Sequence, residues 1–381
     1  MLRFDGQLVR LRDRFDALKA MSKSYPTLRM YVAALMLLLP LYSSAQPMEP
    51  TPAQAEKTDK ESPWLLTPLV SSEPKLGATL GGLGAYLKRF DPGSTQSMMG
   101  LYGTYSDTES WVLAAFGDIY LQDNKHKIVV GAVSGRINNE YDDFLGIGLP
   151  ARTTDDLGAY FLRYSYQIRP NWYLGGQAIS SNYAIGADGL MGSFLELIGL
   201  TGFDSVGVGA VAEYDTRDRQ RDPSSGNKFV ANNIAYRESL GGDESFDVVS
   251  AEYQHYFQPL ERMVLAMQVK GRWTDDAPLG GYSSASLRGY VVGNYIAPNW
   301  SHVDFDARYM VGSRWGVVGF AGVGCLYGGN SSCRYSDDIY PSVGAGFMYK
   351  LKQEAGIVIR AEAAFGKDDN KGFYLRLGHP F

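Results

Sequence analysis

The chain has 381 residues, of which 45% are hydrophobic and 20% are charged, and its net charge at pH 7 is −5. This acidic balance argues against a nucleic-acid partner, because nucleic acids are bound through clustered basic charge. The chain also contains 44 glycines and 26 tyrosines, residues that favour turns and pleated surfaces over helix interiors.

The first 45 residues have the layout of a secretory signal peptide. Lys23 and Arg29 precede an apolar run at 30–41, and small residues at 43–45 fit a cleavage site. The alternative is an uncleaved anchor, but the run is short for a bilayer span. Cleavage would remove seven basic and three acidic residues and leave a net charge of −9.

The remaining organisation is simple. Residues 1–20 resemble an upstream extension, which makes Met21 a candidate start. Residues 46–62 are rich in Pro, Glu and Lys and predict a short disordered lead-in. From residue 63 to residue 381 the pattern changes to strand-length segments bounded by turns. The sequence therefore predicts one β-rich domain at 63–381.

The strand-length segments place apolar and polar residues on opposite faces. In the segment 301–312, Phe305 and Tyr309 alternate with Asp304 and Asp306. No stretch of 18 apolar residues remains after cleavage, which argues against a helical membrane protein. In a membrane barrel, the apolar face of such strands meets lipid and the polar face lines the lumen.

Short and long links alternate along the chain, as in bacterial barrels with short periplasmic turns and long external loops. The links separate sixteen predicted strands at 64–71, 76–90, 95–106, 109–121, 126–138, 154–168, 172–185, 204–215, 227–239, 245–259, 262–274, 301–312, 314–327, 339–350, 355–366 and 372–381. The predicted fold is an all-β, sixteen-stranded antiparallel transmembrane β-barrel. We expect it in the outer membrane of a Gram-negative-type envelope, in contact with outer-membrane lipid.

The tryptophans are predicted to lie at strand ends, where aromatic rings occupy the membrane interfaces. The predicted periplasmic group is Trp64, Trp172 and Trp315, and the predicted external group is Trp111, Trp273 and Trp300.

The last strand is amphipathic and ends in an aromatic residue. Phe373, Leu375, Leu377 and Phe381 are predicted to share one face. This resembles the C-terminal signal that the barrel assembly machinery reads, and it makes that machinery an expected partner. The alternative is an ordinary last strand.

Two further motifs lie in the links. The first, in the long link 275–299, consists of Leu287, Arg288, Gly289 and Tyr290. The second, between the eighth and ninth predicted strands, consists of Asp215, Thr216, Arg217, Asp218, Pro223 and Gly226. With the terminal Phe381, these motifs resemble the BamA/TamA superfamily of bacterial surface antigen barrels. The positions of both motifs match the sixteen-stranded barrel of that family.

The resemblance implies a charged interaction inside the barrel. In the family, the loop arginine lies in the lumen and pairs with acidic residues on strands 12 and 13. Here Arg288 is the matching arginine and Asp306 the matching acid, with Asp304 and Arg308 on the same face. The strand-13 acid is missing, because Gly322 occupies its position, so the pairing would rest on Asp304 and Asp306. The alternative is a solvated loop arginine.

The cysteines and histidines, and the absence of a nucleophile motif, indicate no active site. Cys325 and Cys333 are close in an exported chain, which predicts a disulfide, with two free thiols as the alternative. The four histidines are not spaced as metal ligands, and the sequence contains no G-x-S-x-G elbow. We therefore expect no catalytic residues, no metal and no cofactor, and a protein that is not an enzyme.

The resemblance also bears on function. Relatives that insert or transport proteins usually carry POTRA domains, and the seventeen residues at 46–62 are too few for one. The chain thus resembles the short branch that lacks these domains. The expected function is insertion or transport of a protein or lipid client at the outer membrane, through a weak seam between strands 1 and 16, where Pro63 and Pro68 cannot donate backbone hydrogen bonds. The alternative for Pro63 is that it simply precedes the strand. The alternatives are a passive pore for small solutes and a structural or surface-antigen barrel.

Overall fold

A computed structural model describes residues 62–73, 77–141, 151–182 and 203–381. The predicted signal peptide, the candidate start at Met21 and the lead-in up to residue 61 lie outside these ranges. Sixteen strands form one closed antiparallel ring. They are β1 Trp64–Glu73, β2 Gly77–Lys88, β3 Ser97–Ser106, β4 Trp111–Leu121, β5 His126–Tyr141, β6 Ala151–Arg169, β7 Trp172–Ser181, β8 Ser205–Asp215, β9 Gly226–Tyr236, β10 Phe246–Leu260, β11 Met263–Asp275, β12 Asn299–Met310, β13 Trp315–Tyr327, β14 Ile339–Lys352, β15 Ile357–Gly366 and β16 Lys371–Leu377.

The predicted fold class is confirmed. Each strand pairs with its neighbours in the chain, and β1 pairs with β16 to close the ring. Among the described links, short 3₁₀ turns lie at Glu238–Leu240, Leu279–Gly281 and Ser336–Asp338. In the ranges given above, no helix is long and apolar enough to cross a membrane.

The alternation of exposure along the strands identifies the two faces of the barrel wall. On β6, Tyr160 and Leu162 are 67% and 48% exposed, whereas Phe161 between them is 2% exposed. The inner face is sequestered and the outer face is apolar, whereas the outer face of a water-soluble sandwich is polar.

The inner face is not uniformly polar, in contrast to the sequence-based expectation. One apolar cluster lines the inner wall of β4 to β10 and includes Val133, Phe161 and Ile234. A second lies behind the seam and includes Leu65 of β1 and Leu377 of β16. A period of two identifies which residues share a face, but it does not determine what fills the space that they enclose.

Aromatic pairs mark the periplasmic end of the barrel. Trp64 lies opposite Tyr86, with ring centroids 5.0 Å apart. Equivalent cross-strand pairs are Trp172 with Tyr214 at 4.9 Å and Trp315 with Tyr349 at 4.8 Å. These three tryptophans lie at strand ends, as predicted, and the assignment of this rim to the periplasm stays a prediction.

Trp300 departs from the prediction of an external aromatic belt. Its side chain is 2% exposed and its indole N–H donates to His302 Nδ1 at 2.8 Å. The even-numbered residues of β12 face the lumen, so the ring of Trp300 lies inside the barrel rather than at the lipid interface.

The last strand ends earlier than predicted. β16 stops at Leu377, and Gly378 has a φ of +89°, a conformation that favours glycine. The Gly378 N–H donates to the Val358 carbonyl at 2.8 Å, and the chain then turns into the lumen. Phe381 therefore does not share the strand face of Phe373, and the predicted shared face is wrong for this residue. That these residues act as an assembly signal stays a prediction.

The membrane placement predicts a depth-dependent response to charge. Leu162→Arg introduces a cation on the lipid face in the middle of β6 and should lower the free energy of unfolding by about 2–4 kcal/mol. Tyr166→Arg, close to the end of the same strand, should cost less because its guanidinium can reach the interface. Denaturant titration of both variants in lipid vesicles measures the difference, and equal losses would contradict the assigned depth.

Candidate functional site

The loop between β11 and β12 lies inside the barrel. Its base is a short hairpin in which Ser283–Ser284 pairs with Ile296–Ala297. At the tip of the loop, the side chains of Leu287 and Tyr290 are buried in an apolar cluster with Trp300 of β12. The loop therefore packs as part of the interior instead of extending into solvent.

Each residue of the predicted loop motif has a distinct contact. Gly289 has a φ of +98°, and a Cβ there would lie 3.2 Å from the Gly366 nitrogen, so a larger residue would be strained. The Gly289 N–H donates to the Tyr374 hydroxyl at 3.0 Å. The Tyr290 hydroxyl donates to the Pro341 carbonyl at 2.5 Å. These bonds attach the loop to β16 at the seam and to β14.

Arg288 is buried among carboxylates. Its guanidinium lies 2.7 Å from Asp304 Oδ2 and 3.4 Å from Asp306 Oδ2. A third carboxylate, that of Glu362, is 3.6 Å away, and the Phe320 ring centroid is 3.5 Å from the guanidinium carbon. The Arg288 side chain is 3% exposed, a burial that a solvated loop arginine would not have.

The missing acid on β13 has a structural explanation. Gly322 lies directly opposite Asp304 on β12, and a Cβ at this glycine would be 3.0 Å from Asp304 Oδ1 and 3.1 Å from Leu287. The space is therefore already filled by Asp304 and the loop. Glu362 on β15 supplies the third acid, which the motif comparison missed, although alternation along β15 places it on the inner face.

Asp306 is the centre of the ionic cluster. Arg360 Nη2 lies 2.6 Å from Asp306 Oδ2, and Arg308 Nε lies 2.8 Å from Oδ1. Glu362 bridges Arg360 at 2.5 Å and Arg376 at 3.3 Å. The side chains of Asp306, Arg360 and Glu362 are fully buried. Buried charges of this kind are tolerated only when each has an opposite partner.

The predicted turn motif between β8 and β9 forms a compact structure. Arg217 Nη2 lies 2.8 Å from Asp215 Oδ2, and Asp218 Oδ1 accepts the Ser224 N–H at 2.9 Å. Burial alone would raise the pKa of Asp218, but the bonds from Ser224 and its neighbours hold that pKa below its usual value. At the end of the turn, Gly226 has a φ of +100°.

Local contacts account for Gly226, Thr216 and Pro223 of this motif. A Cβ at Gly226 would lie 2.3 Å from the Thr216 carbonyl oxygen, so no other residue fits without a shift of the backbone. The Thr216 hydroxyl accepts the Asn227 N–H at 3.0 Å. Pro223 contributes its carbonyl, which accepts a bond from Arg308 Nη1 at 3.3 Å. The turn therefore contacts the ionic cluster from the periplasmic side.

The C-terminal tail connects the turn to the cluster through His379. Its Nε2 lies 2.9 Å from Asp222 Oδ1, and its Nδ1 lies 3.0 Å from Arg360 Nη1. Because Arg360 can only donate, Nδ1 must accept, which places the imidazole proton on Nε2. Asp222 Oδ2 also binds Lys350 Nζ at 2.7 Å. Sequence patterns gave no signal for this contact.

The pKa values of this pair follow from the same geometry. Burial, followed by the nearby Arg308, lowers the pKa of His379 to about 4, which outweighs the opposite effect of Asp222. Burial would raise the pKa of Asp222, but bonds from His379 and Lys350 hold it below its usual range. At neutral pH the imidazole is therefore neutral and the carboxylate is charged.

Cys325 and Cys333 form a disulfide with Cα atoms 5.6 Å apart, at the external end of β13. Across residues 62–73, 77–141, 151–182 and 203–381, no three His, Cys, Asp or Glu side chains come together as a metal site.

The fold and its charged lumen define the class of protein: the chain is an outer-membrane β-barrel. No protein-family model and no curated protein matches it. Among solved structures, it is similar to CdiB from Escherichia coli, with a TM-score of 0.56, 13% identity, and coverage of 84% of this chain and 63% of that one. It is also similar to CdiB from Acinetobacter baumannii, with a TM-score of 0.55, 12% identity, and coverage of 83% of this chain and 59% of that one.

A third similar structure is BamA from Haemophilus ducreyi lacking POTRA domains 1–3, with a TM-score of 0.48, 11% identity and coverage of 83% and 69%. At these identities the likeness is one of fold alone. The chain also spans less than two thirds of either CdiB chain.

The ionic cluster predicts that the loss of one carboxylate destabilises the barrel. Asp306→Asn should lower the free energy of unfolding by about 3 kcal/mol, because Arg308 and Arg360 lose their shared partner in a buried site. Asp156→Asn, which removes the exposed pair with Arg136, is the control and should leave stability unchanged. The temperature of the heat-induced gel shift reports both effects, and an unaltered temperature for Asp306→Asn would refute the assigned role.

The neutral His379 predicts a loss of stability in acid. Its pKa in the folded barrel, about 4, lies below the ordinary value of 6.5. The stability contributed by the neutral ring is therefore complete above pH 6.5 and is lost as the pH falls towards 4. The unfolding temperature should fall over this range, and by a smaller amount in His379→Gln, which cannot titrate. Identical pH profiles for the two proteins would contradict the assignment.

Proposed function

We propose that this chain acts in outer-membrane biogenesis, as a BamA/TamA-type barrel that inserts or transports a protein or lipid client by opening between β1 and β16. One observation carries the proposal. Within the described residues, two residue pairs close the seam, Ser71 with Tyr374 and Ser72 with Phe373. By contrast, β1 pairs with β2 along its whole length, from Trp64 to Glu73.

The path of the C-terminal tail accounts for the short seam. Continued along the strands, the register that joins Ser72 to Phe373 would place Phe381 opposite Trp64. The tail instead leaves β16 after Leu377 and lies in the lumen, where His379 binds Asp222. The periplasmic half of β1 therefore lacks pairing to β16 within the described residues.

Side-chain contacts hold this half of the seam in place of backbone bonds. Leu65 of β1 and Leu377 of β16 belong to one buried apolar cluster, together with Ile357. Apolar packing is non-directional, whereas an unpaired backbone group in lipid costs several kcal/mol. Opening the barrel here would break fewer backbone hydrogen bonds than at any seam with a full ladder, and Pro68 cannot contribute a donor.

The contents of the lumen support biogenesis over the passive pore. The β11–β12 loop, the β8–β9 turn and the C-terminal tail all occupy the interior, fixed by the ionic cluster centred on Asp306. A solute pore requires a continuous aqueous path, and these three segments reduce it. Within this proposal the chain has no catalytic role. Its partners are outer-membrane lipid, the barrel assembly machinery during its own insertion, and a protein or lipid client.

A disulfide across the seam tests the proposal. In a Cys325→Ser/Cys333→Ser background, Ser72→Cys/Phe373→Cys should join β1 to β16. Cells that lack the native protein and carry this variant should show the same outer-membrane protein and lipid composition as deletion cells, because the closed seam cannot open. Reduction of the disulfide should restore the wild-type composition, as measured by proteomics and lipid analysis of isolated outer membranes.

The matched control is Tyr160→Cys/Ser180→Cys in the same background, which joins two strands that are already fully paired. This variant should support a wild-type composition. Wild-type composition with the seam disulfide intact would exclude lateral opening. A stable ion conductance of the wild-type barrel in planar bilayers, unaffected by the seam disulfide, would favour the passive pore.

A further inference from the structure

A lysine of β14 contacts the start of β1 across the seam, at the predicted periplasmic rim. Lys352, the last residue of β14, donates from Nζ to the Ser62 carbonyl at 2.5 Å. β15 and β16 separate β14 from β1 in the ring, but β16 ends at Leu377, so the Lys352 side chain reaches β1 beyond the end of that strand. At the rim, an ammonium group thus contacts an edge that β16 leaves unpaired.

A second lysine lies at the same point from the β2 side. The Leu87 N–H donates to the Pro63 carbonyl at 2.8 Å, so Lys88 and Ser62 are the next residues beyond a bonded pair. Neighbouring strands lie about 4.8 Å apart, and a lysine side chain is longer than that distance. Lys88 and Lys352 therefore flank Ser62 from its two sides. We call Ser62, Lys88 and Lys352 the seam mouth.

The partners of both lysines are neutral. Lys88 Nζ lies 4.8 Å from the centroid of the Phe90 ring, and Lys352 Nζ binds a backbone carbonyl. Of the nearby acids, Asp91 accepts bonds from a serine hydroxyl and from two backbone N–H groups of the β4–β5 turn. Glu354, in the β14–β15 turn, is exposed. Among the residues that the structure describes, neither lysine of the seam mouth forms a salt bridge.

The depth of the seam mouth matches the level of lipid headgroups. Lys88 comes two residues after Tyr86, and Lys352 comes three residues after Tyr349. The rings of both tyrosines pair with tryptophans, at 5.0 Å and 4.8 Å. Tryptophan and tyrosine occupy the membrane interface, and lysines just beyond them extend their ammonium groups to the headgroups. The two cations therefore lie where lipid phosphates are found.

The lipid face next to the seam mouth is apolar and shallow. Leu66 of β1 is 78% exposed, and it lies opposite Gly84 of β2. The next outward pair is Pro68 with Gly82. A Cβ at Gly82 would lie 3.8 Å from its nearest neighbour, so the space above this glycine is open. An acyl chain that runs from the rim along β2 has room to lie against these residues.

We propose that the seam mouth binds an anionic glycerophospholipid of the surrounding membrane. Its phosphate lies between Lys88 and Lys352, and one acyl chain lies against Leu66 and over Gly82. An ammonium group has three donors, so Lys352 can hold the Ser62 carbonyl and a phosphate oxygen together. Binding needs no opening of the seam, so this site and the proposed role in biogenesis can fail independently of each other.

Native mass spectrometry of the purified barrel in a neutral detergent tests the site, with dioleoyl phosphatidylglycerol as the probe. The first lipid should bind saturably and more tightly than dioleoyl phosphatidylcholine. Lys352→Gln and Lys88→Gln should each weaken it about five-fold, the effect of one lysine near an anionic headgroup, whereas Lys352→Arg should retain it. Gly82→Leu should also weaken it, because the leucine fills the acyl position while both cations remain.

Two controls separate the seam mouth from general attraction to the rim. Lys125→Gln removes an exposed cation of the β4–β5 turn at the same rim and should bind like the wild type. The oxidised Ser72→Cys/Phe373→Cys variant should also bind like the wild type, since the site does not require an open seam. The gel shift on heating verifies that each variant is folded. Equal affinity for phosphatidylcholine, equal losses in Lys125→Gln and Lys352→Gln, or loss of binding on oxidation would each overturn the proposal.

Discussion

The interior of the barrel depends on one carboxylate, Asp306, which neutralises guanidinium groups from three different elements. Arg288 reaches it from the external loop, Arg308 from its own strand and Arg360 from β15. Charges in an enclosed lumen are stable only with fixed partners, so this requirement determines where the loop can lie. Through Arg308 and Arg360 the same carboxylate also positions the β8–β9 turn and the C-terminal tail. Segments that enter from opposite sides of the membrane are thus joined by one connected set of ion pairs and hydrogen bonds.

The position of the tail connects this ionic cluster to the wall of the barrel. Residues that could extend β16 along β1 are instead used inside, where His379 bridges Arg360 and Asp222. Filling the lumen and closing the seam therefore compete for the same four residues. The structure favours the filled lumen and replaces the missing ladder by apolar contacts such as that of Leu65 with its cluster. The inward path of the C-terminal tail therefore has two results: the wall is weakest at the seam, and the interior is most strongly bonded at the ionic cluster.

The period-two pattern and the alternation of short and long links were together sufficient to predict the ring of sixteen strands, because both are local properties of the sequence. It also placed Asp304 and Asp306 on the inner face, and the loop motif identified Arg288. It could not identify Glu362 as a partner of Arg288, since the two residues meet only after β15 has joined the ring. The inward turn at Gly378 was missed for a similar reason: the stabilising contact, with Asp222, comes from a distant turn. Trp300 was assigned to the interface because it lies at a strand end. Alternation along β12 would have placed it inside, on the same face as Asp304 and Asp306.

The contact between Asp222 and His379 joins residues that are 157 positions apart in the chain. The hydrogen bond of Arg308 to the Pro223 carbonyl joins residues that are 85 positions apart. Contacts of such high contact order form late, because much of the chain must be ordered before they can be made. In a half-assembled sheet, the charged side chains of the β8–β9 turn and of β12 would still be hydrated. They would exchange this water for protein partners only when the final hairpin, β15 and β16, joins the sheet. Completion of the interior and completion of folding are therefore the same event, so a barrel that stalls before its last hairpin remains incomplete on the inside as well as at its edge.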